Sequence, residues 1–259
     1  MDDMLLEHLF AQTIPQPGPA VFRGIVKRKQ IQQYWQDKKD FFYMDTGYFG
    51  NFISSGNPSG KKLFHRIVKN DLQKHWLEKW PNYRWKHLCK MDSRLHWRGW
   101  KTKGKKILLI VPNRKSCIFY GYDLEPYSLT DGKRPWLENT IAMIKKHTDM
   151  PIVIREKGSR SDRHNYSIFD ALDEGIFATV AFNSIAALES VVYGVPAFVT
   201  VPCAATPLAS QDLSMIEHPF YPDEKLVQQH CNSLAYGQFT EEEIANGTAW
   251  RLLNNETCG

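Results

Sequence analysis

The stretch from Ile176 to Phe198, IFATVAFNSIAALESVVYGVPAF, constrains the fold more than any other part of this chain. Phe177 to Phe182 is a continuous run of apolar and β-prone residues, of a length suited to a buried strand. Asn183 or Ser184 then offers a side-chain oxygen that can cap a helix, and Gly194-Val195-Pro196 stops that helix, glycine first and proline after it. Ala197 to Val201 reads as a second strand. A strand, a small-residue helix and another strand in so short a span imply a right-handed crossover in a parallel sheet. The helix N-terminus then faces the crevice beyond the strand's carboxyl end, where open α/β sheets take anionic ligands. The amides of Ser184, Ile185 and Ala186 would then point into that crevice, and Glu189 follows just over a turn later. The plainer alternative makes Ser184 only a cap and Glu189 only a solvated helix residue.

The same alternation runs along the rest of the chain. Ala20-Val21-Phe22 reads as a strand ending at Arg23-Gly24, Lys27 to Lys38 as a helix, and Phe41 to Met44 as a second strand, together a β-α-β unit. Ser54 to Lys62 is rich in Ser, Gly, Asn and Pro and reads as a loop. Leu63, Ile67, Leu72 and Trp76 have helical spacing, which predicts a helix from Leu63 to Trp80 with a basic outer face. Ile107 to Val111 is a continuous apolar strand, Trp136 to His147 a helix, Ile152 to Ile154 a strand and Ile168 to Leu172 a short helix. Thr240 and Glu243 form a capping box that opens a final helix, Glu241 to Leu253. The best boundary falls at Gly99 to Lys105, dividing the chain into residues 1–103 and 104–259. Each part reads as a Rossmann-like α/β half, the first reduced, with a cleft between them.

Charge divides the halves. Residues 1–150 carry 27 Lys+Arg against 14 Asp+Glu, whereas residues 151–259 carry 6 against 14. Between Lys61 and Lys115 lie 17 basic residues, 3 acidic ones and five tryptophans, Trp76, Trp80, Trp85, Trp97 and Trp100. Cations interleaved with aromatics suit a phosphate backbone with unstacked bases; a tryptophan core with lysines outside it suits the same pattern. Five widely separated cysteines without a C-x-x-C pair suggest neither a disulfide framework nor a zinc site, and fit a reducing cytoplasm. Acidic residues at Asp2 and Asp3, and no apolar run long enough to span a bilayer, lead to the expectation of a soluble, cytoplasmic protein.

The polar turn, helix, Glu189 and Gly-x-Pro together resemble the donor-binding half of GT-B glycosyltransferases, particularly the capsule-polysaccharide and Kdo-transferase type. Phe41 to Asn51 with His65 to Asn70, and Leu234 to Ile244, resemble glycosyltransferase-like proteins of tailed bacteriophages. The resemblance implies a GT-B fold and a nucleotide-diphosphate sugar as donor, with no further cofactor. It also implies that Ser184 contacts phosphate and Glu189 the ribose. The chain is shorter than the phage DNA glucosyltransferases and shares no long motif with them.

Glycosyl transfer needs a cationic partner for the departing phosphate, a grip on the sugar and a base for the acceptor hydroxyl. Arg155 and Lys157 follow a strand expected to lie beside the one that ends at Phe182, so that their cations could meet phosphates held at the helix beginning at Ser184. Gln211 and Asp212 are candidates to grip sugar hydroxyls or, alternatively, to cap a surface helix. Arg23 and Gly24 offer further phosphate contacts. Asp45, at the carboxyl end of an apolar strand, is the candidate general base, and its competing role is that of a turn-former. Tyr48, His65, Arg66, Lys69, Trp97 and Arg98 are candidates for the acceptor or a nucleic acid. The absence of HxxH, HExxH and DxD from the sequence points to metal-independent, inverting chemistry of the GT-B type. The expected function is transfer of a sugar to hydroxymethylated pyrimidines of phage DNA, with the target base flipped outward. A cell-surface polysaccharide or lipid-linked glycan as acceptor, and a nucleic-acid-binding protein without activity, are the alternatives.

Overall fold

The computed structural model describes residues 3–50, 63–120, 135–156 and 167–254. In chain order these form α1 (Asp3–Thr13), β1 (Ala20–Arg23), α2 (Arg28–Gln36), β2 (Phe41–Thr46), β3 (His65–Lys69) and α3 (Tyr83–Met91). Next come β4 (Lys106–Ile110), α4 (Arg114–Phe119), α5 (Pro135–Lys145), β5 (Ile152–Arg155), α6 (Ile168–Leu172), β6 (Ile176–Ala181), α7 (Ile185–Val192) and β7 (Ala197–Val199). They are followed by α8 (Glu224–Ala235), β8 (Gln238–Phe239), α9 (Glu241–Ala245) and α10 (Thr248–Leu253). The chain divides into two compact units: Met1–Lys74, Glu78–Asp92 and Cys231–Gly259 make the first, His75–Leu77 and Ser93–His230 the second. The break after Asp92 lies a little before the expected Gly99 to Lys105. The return of the chain end to the first unit departs from the expected two continuous halves.

The second unit is the parallel sheet that the alternating pattern predicts, in the order β5-β4-β6-β7 with every neighbouring pair parallel. Strands covered on both faces must be largely apolar, which is why β4 after Lys106, and β6 apart from Thr179, read as hydrophobic runs. Ile107, Leu109, Ala178, Val180, Phe182 and Phe198 fill its core with Trp136 and Ile144 of α5. Ala186, Ala187 and Val191 of α7 are buried, and their small side chains let the helix approach the sheet closely. At the end of α7, Gly194 has φ +86°, and a Cβ there would stand 2.2 Å from the Gly99 carbonyl oxygen. Its own carbonyl accepts from the Lys101 amide at 2.7 Å, so the segment before β4 is tied to the end of α7.

The strand order corrects one expectation. β5 pairs with β4 and not with β6, so a whole strand separates Arg155 from the β6 end. The cause is that β4, the first strand of this unit, takes the centre. The chain leaves it outward to β5, then crosses back over to β6 on its other side.

The first unit has a mixed sheet, β1-β2-β3-β8, and only β1 with β2 is parallel. A parallel Rossmann-like sheet is therefore realised only in its first pair. The predicted helix over Leu63 to Trp80 is absent. His65–Lys69 instead forms β3 along the open edge of β2, and Asp71 to Pro81 is irregular. Helical spacing lost to burial: residues 65–68 are all buried, with Ile67 in one core with Phe42 and Met44, an arrangement a two-residue period allows. Asn70, at φ +59°, ends the strand, and its side-chain oxygen accepts from the Phe41 amide at 2.8 Å.

β8 adds to the other edge of β3, pairing His65 with Phe239 and Arg66 with Gln238. Phe239, Ile244 and Ala249 then share a core with Leu6, Phe10 and Ile14 of the α1 segment, which is what draws the chain end into this unit. The single terminal helix expected from Glu241 to Leu253 breaks in two at Gly247, where φ is +79°. Arg84 of α3 fastens this end: it donates to the Glu243 carboxylate at 2.5 and 3.1 Å and to the carbonyls of Ala235 and Gln238 at 2.9 and 2.8 Å. Burial pushes the Glu243 carboxyl up, and the bonds from Arg84 and Thr240 outweigh it, leaving it below its ordinary value of 4.5.

Most tryptophans of the basic segment are used in packing. Trp85 is buried against Phe49 with ring centroids 4.9 Å apart, and Trp80 stacks on Tyr236 at 4.3 Å. Trp97 meets Trp100 edge to face at 4.9 Å, and the Trp100 indole donates to the Pro222 carbonyl at 3.2 Å. Trp76 stays exposed.

Two outcomes test this packing. Gly194→Ala is expected to lower stability by about 1–3 kcal/mol, since the residue is both left-handed and crowded, measured as a loss in urea unfolding free energy. A carboxyl lowered by folding contributes stability that is complete above its unfolded value and lost as pH falls through its folded one. Glu243→Gln is therefore expected to flatten the fall in stability below about pH 4.5 relative to wild type, read as the urea midpoint against pH.

Candidate active site

A doubly wound sheet binds ligands where its strand order reverses, and in the second unit that point lies between β4 and β6. β4 runs into Val111-Pro112-Asn113, and the Asn113 side chain accepts from the Ser116 amide at 2.9 Å, capping α4. β6 runs into Phe182-Asn183-Ser184, and the Ser184 hydroxyl accepts from the Ala186 amide at 3.2 Å, capping α7. Two helix starts thus open at the carboxyl edge of adjacent strands. Asn183 is buried and Glu189 half-buried. Thr200, just beyond β7, accepts from the Trp136 indole at 3.1 Å and fixes the next position along the same edge.

Arg155 closes β5 in register with Ile110, at the same edge. With β4 intervening, it stands two strand spacings from the β6 end, roughly 10 Å across the sheet. Lys157 lies outside the described residues. Ser210 bridges to Phe198 beside β7, and the chain then turns through Gln211 and Asp212 at the surface. Asp212 caps a short 3-10 turn, accepting from the Ser214 amide at 2.9 Å, and the bonds to Ser214 hold its carboxyl below the ordinary 3.8. The capping alternative is the one its geometry displays.

In the first unit, the antiparallel register of β2 and β3 sets Asp45 opposite Arg66 and Thr46 opposite His65. One carboxylate oxygen of Asp45 accepts from the Tyr43 hydroxyl at 3.0 Å and from Arg66 at 3.2 Å; the other accepts from the Thr46 amide at 2.7 Å. The Asp45 side chain is 34% exposed, whereas that of Arg66 is 8% exposed. The remaining guanidinium nitrogens donate to the carbonyls of Thr46 at 2.6 Å and Leu72 at 3.2 Å, and the group lies 5.8 Å from the ring centres of both Tyr43 and Tyr48. Because β1 runs parallel to β2 with Arg23 against Met44, Arg23 and the left-handed Gly24 (φ +62°) share the carboxyl edge with Asp45.

Asp45 and Arg66 are therefore brought into contact, whereas strand alternation sets Arg23, in register with Met44, and His65, opposite Thr46, on the other face of the sheet, with Gly24 following Arg23 at the same edge; other candidates take up different roles. Tyr48 is buried, its hydroxyl accepting from the Lys74 amide at 2.8 Å, so it is a packing residue. Lys69 is exposed at the far end of β3 and pairs with Asp40 at 2.9 Å. Trp97 and Arg98 belong to the second unit, the latter donating to the Ser93 carbonyl at 3.5 Å.

Three further residues emerge only with the fold. Asn113 has a signal in the sequence, an Asn directly after an apolar strand and three residues before Ser116. Tyr43, two residues before Asp45, faces the same side of its strand by the period of two. Gln238, which binds the loop after β2, has none. Among the described residues no group of three or more His, Cys, Asp or Glu is placed to hold a metal ion, and no helix is long and apolar enough to cross a membrane. Burial pushes the Cys117 thiol to about 12 and those of Cys89 and Cys203 to about 11, far from the thiolate a nucleophile needs.

No protein-family model matches the sequence, and no curated protein matches it. Solved structures do. The β-Kdo 2,4-transferase of KpsC from Thermosulfurimonas dismutans aligns over 96% of this chain and 94% of its own, at 12% identity and a TM-score of 0.53. The β-Kdo 2,7-transferase of the same protein aligns over 99% and 91%, at 13% identity and a TM-score of 0.49. The fold is the mixed α/β, GT-B-like fold of glycosyltransferase structures.

The cap at the start of α7 has a measurable weight. Ser184→Ala is expected to cost about 1 kcal/mol of unfolding free energy, and Ser184→Asn to recover most of it, in equilibrium denaturation.

Proposed function

We propose that the protein is a glycosyltransferase that moves a sugar from a nucleotide sugar to a hydroxyl of a glycan acceptor. The observation that carries this reading is the strand reversal between β4 and β6, flanked by two capped helix starts, in a chain whose fold is that of glycosyltransferases. The donor phosphate lies against the amide groups that open α7, with Ser184 and Asn183 beside it and Glu189 toward the ribose. Arg155 supplies a cation at the same edge. Gln211 is a candidate for the sugar hydroxyls, while Asp212 shapes the turn that presents it.

Asp45 acts as general base. It accepts the proton of the acceptor hydroxyl as that oxygen bonds to the anomeric carbon. The bond from that carbon to the nucleotide's phosphate oxygen breaks, and its electron pair leaves with the phosphate. Direct displacement of this kind inverts the anomeric configuration and calls on no metal. Arg23 and Gly24, at the edge Asp45 occupies, are candidates for acceptor contacts.

A glycan acceptor is favoured over hydroxymethylated DNA by what the basic segment does. Trp80, Trp85, Trp97 and Trp100 are engaged in ring contacts within the protein, and Arg66 is buried, so the stacking half of the nucleic-acid signature is largely spent. The charge that remains serves an anionic glycan equally well. The structure that aligns at a TM-score of 0.53 is a β-Kdo transferase, which agrees with a cell-surface polysaccharide or lipid-linked glycan as acceptor.

The test has two arms. A nucleotide sugar present at about a hundred times its Kd is expected to stabilise the fold by about 2.7 kcal/mol, seen as a rise in Tm. Asp45→Asn should keep that rise while transfer falls about 10²–10⁴-fold. Mass spectrometry of oligosaccharides and of hydroxymethylated duplex, each incubated with donor, identifies the acceptor. Transfer at the wild-type rate by Asp45→Asn, or no response of Tm to any nucleotide or nucleotide sugar, would overturn the proposal.

A further inference from the structure

Arg66 looks at first like a surface cation placed for an anionic substrate, and its surroundings give it a different task. Its guanidinium is buried and makes three bonds in three directions: to Asp45 on β2, to the Thr46 carbonyl on the same strand and to the Leu72 carbonyl beyond β3. The planar fork satisfies acceptors spread around it, which a lysine's single ammonium does not. The rings of Tyr43 and Tyr48 both lie 5.8 Å from it, so the group has little room to turn. Tyr43 in turn donates to the same Asp45 oxygen that Arg66 holds. The two donors fix one oxygen, and the Thr46 amide fixes the other.

We propose that Arg66, assisted by Tyr43, is the positioning residue of the transfer reaction, holding the Asp45 carboxylate in one orientation through the bonds both make to it. This rests on the reading of Asp45 as general base. Neither Arg66 nor Tyr43 touches substrate or takes up a proton. The proton travels from the acceptor oxygen to Asp45 alone, while the cation and hydroxyl keep that carboxylate aimed. A base misplaced by about 1 Å can cost about 10²-fold in rate, so rigidity at this point is worth a buried arginine. The register of β2 against β3 sets the partnership, because Asp45 and Arg66 are directly opposed and their side chains share one face.

The experiment uses the whole chain with steady-state kinetics on donor and acceptor. Arg66→Ala is expected to lower kcat about 100-fold with both KM values within about twofold of wild type, and added methylguanidine to restore about a tenth of the lost rate. Tyr43→Phe leaves the arginine's bonds in place and is expected to lower kcat about tenfold, which keeps the proposal testable if Arg66→Ala does not fold. Arg66→Lys should keep the charge and recover little, because the fork is lost. A rise in acceptor KM with kcat unchanged would make Arg66 a substrate contact and overturn the inference, as would wild-type kcat in both Tyr43→Phe and Arg66→Lys. Wild-type protein without transfer, or Asp45→Asn with the wild-type rate, counts instead against the enzyme reading itself.

Discussion

The Gln238 side chain is the contact on which the edge of the first unit that carries Asp45 depends. It is 1% exposed, and its carbonyl oxygen accepts from the amides of Tyr48 at 2.7 Å and Phe49 at 2.9 Å while its amino group donates to the Phe49 carbonyl at 3.2 Å. One primary amide thereby replaces the strand partner that the turn after β2 does not have. Buried peptide groups left without a partner cost about 1–3 kcal/mol each, so the turn after Asp45 keeps its path only while β8 lies in place. β8 lies in place because Phe239 and the residues after it fill a core that α1 would otherwise leave open. The beginning and the end of the chain thus share one hydrophobic cluster, and the Asp45 carboxylate inherits its position from it.

The second unit depends on a simpler constraint. A strand buried on both faces must be largely apolar, and β4, with neighbours on both sides, is an almost unbroken apolar segment. Placing it centrally forces the chain to leave in one direction and return in the other. That reversal sets the capped helix starts at Asn113 and Ser184 at the ends of adjacent strands. The same topology moves Arg155 one strand further from Ser184 than sequence order suggests. Any phosphate it meets is met from the far side of β4.

Much of this is legible in the residues. The strand, cap, helix and glycine-proline stop from Ile176 to Phe198 fall where their chemistry puts them, because every device involved acts within a few residues. Ser167 and Thr240 open their helices through capping boxes for the same reason. The segment from Leu63 to Trp80 misleads because its apolar residues fit a helical period, while the open edge of β2, far more consequential, leaves no mark in the local sequence. The tryptophans illustrate the same limit: composition places them among cations, and packing partners such as Phe49 and Tyr236 turn most of them inward.

That the second half is a parallel α/β sheet with a helix start at Ser184 follows from the order of residues alone, since periodicity, capping and glycine stops are local properties of a chain. Which strands are neighbours, that Asp45 meets Arg66 and Tyr43, and that the chain end returns to complete the first unit are visible only once the chain is folded. Those outcomes turn on which hydrophobic surfaces find each other across long separations. A residue carries its own conformational preference, but its partners are chosen by the burial of everything else.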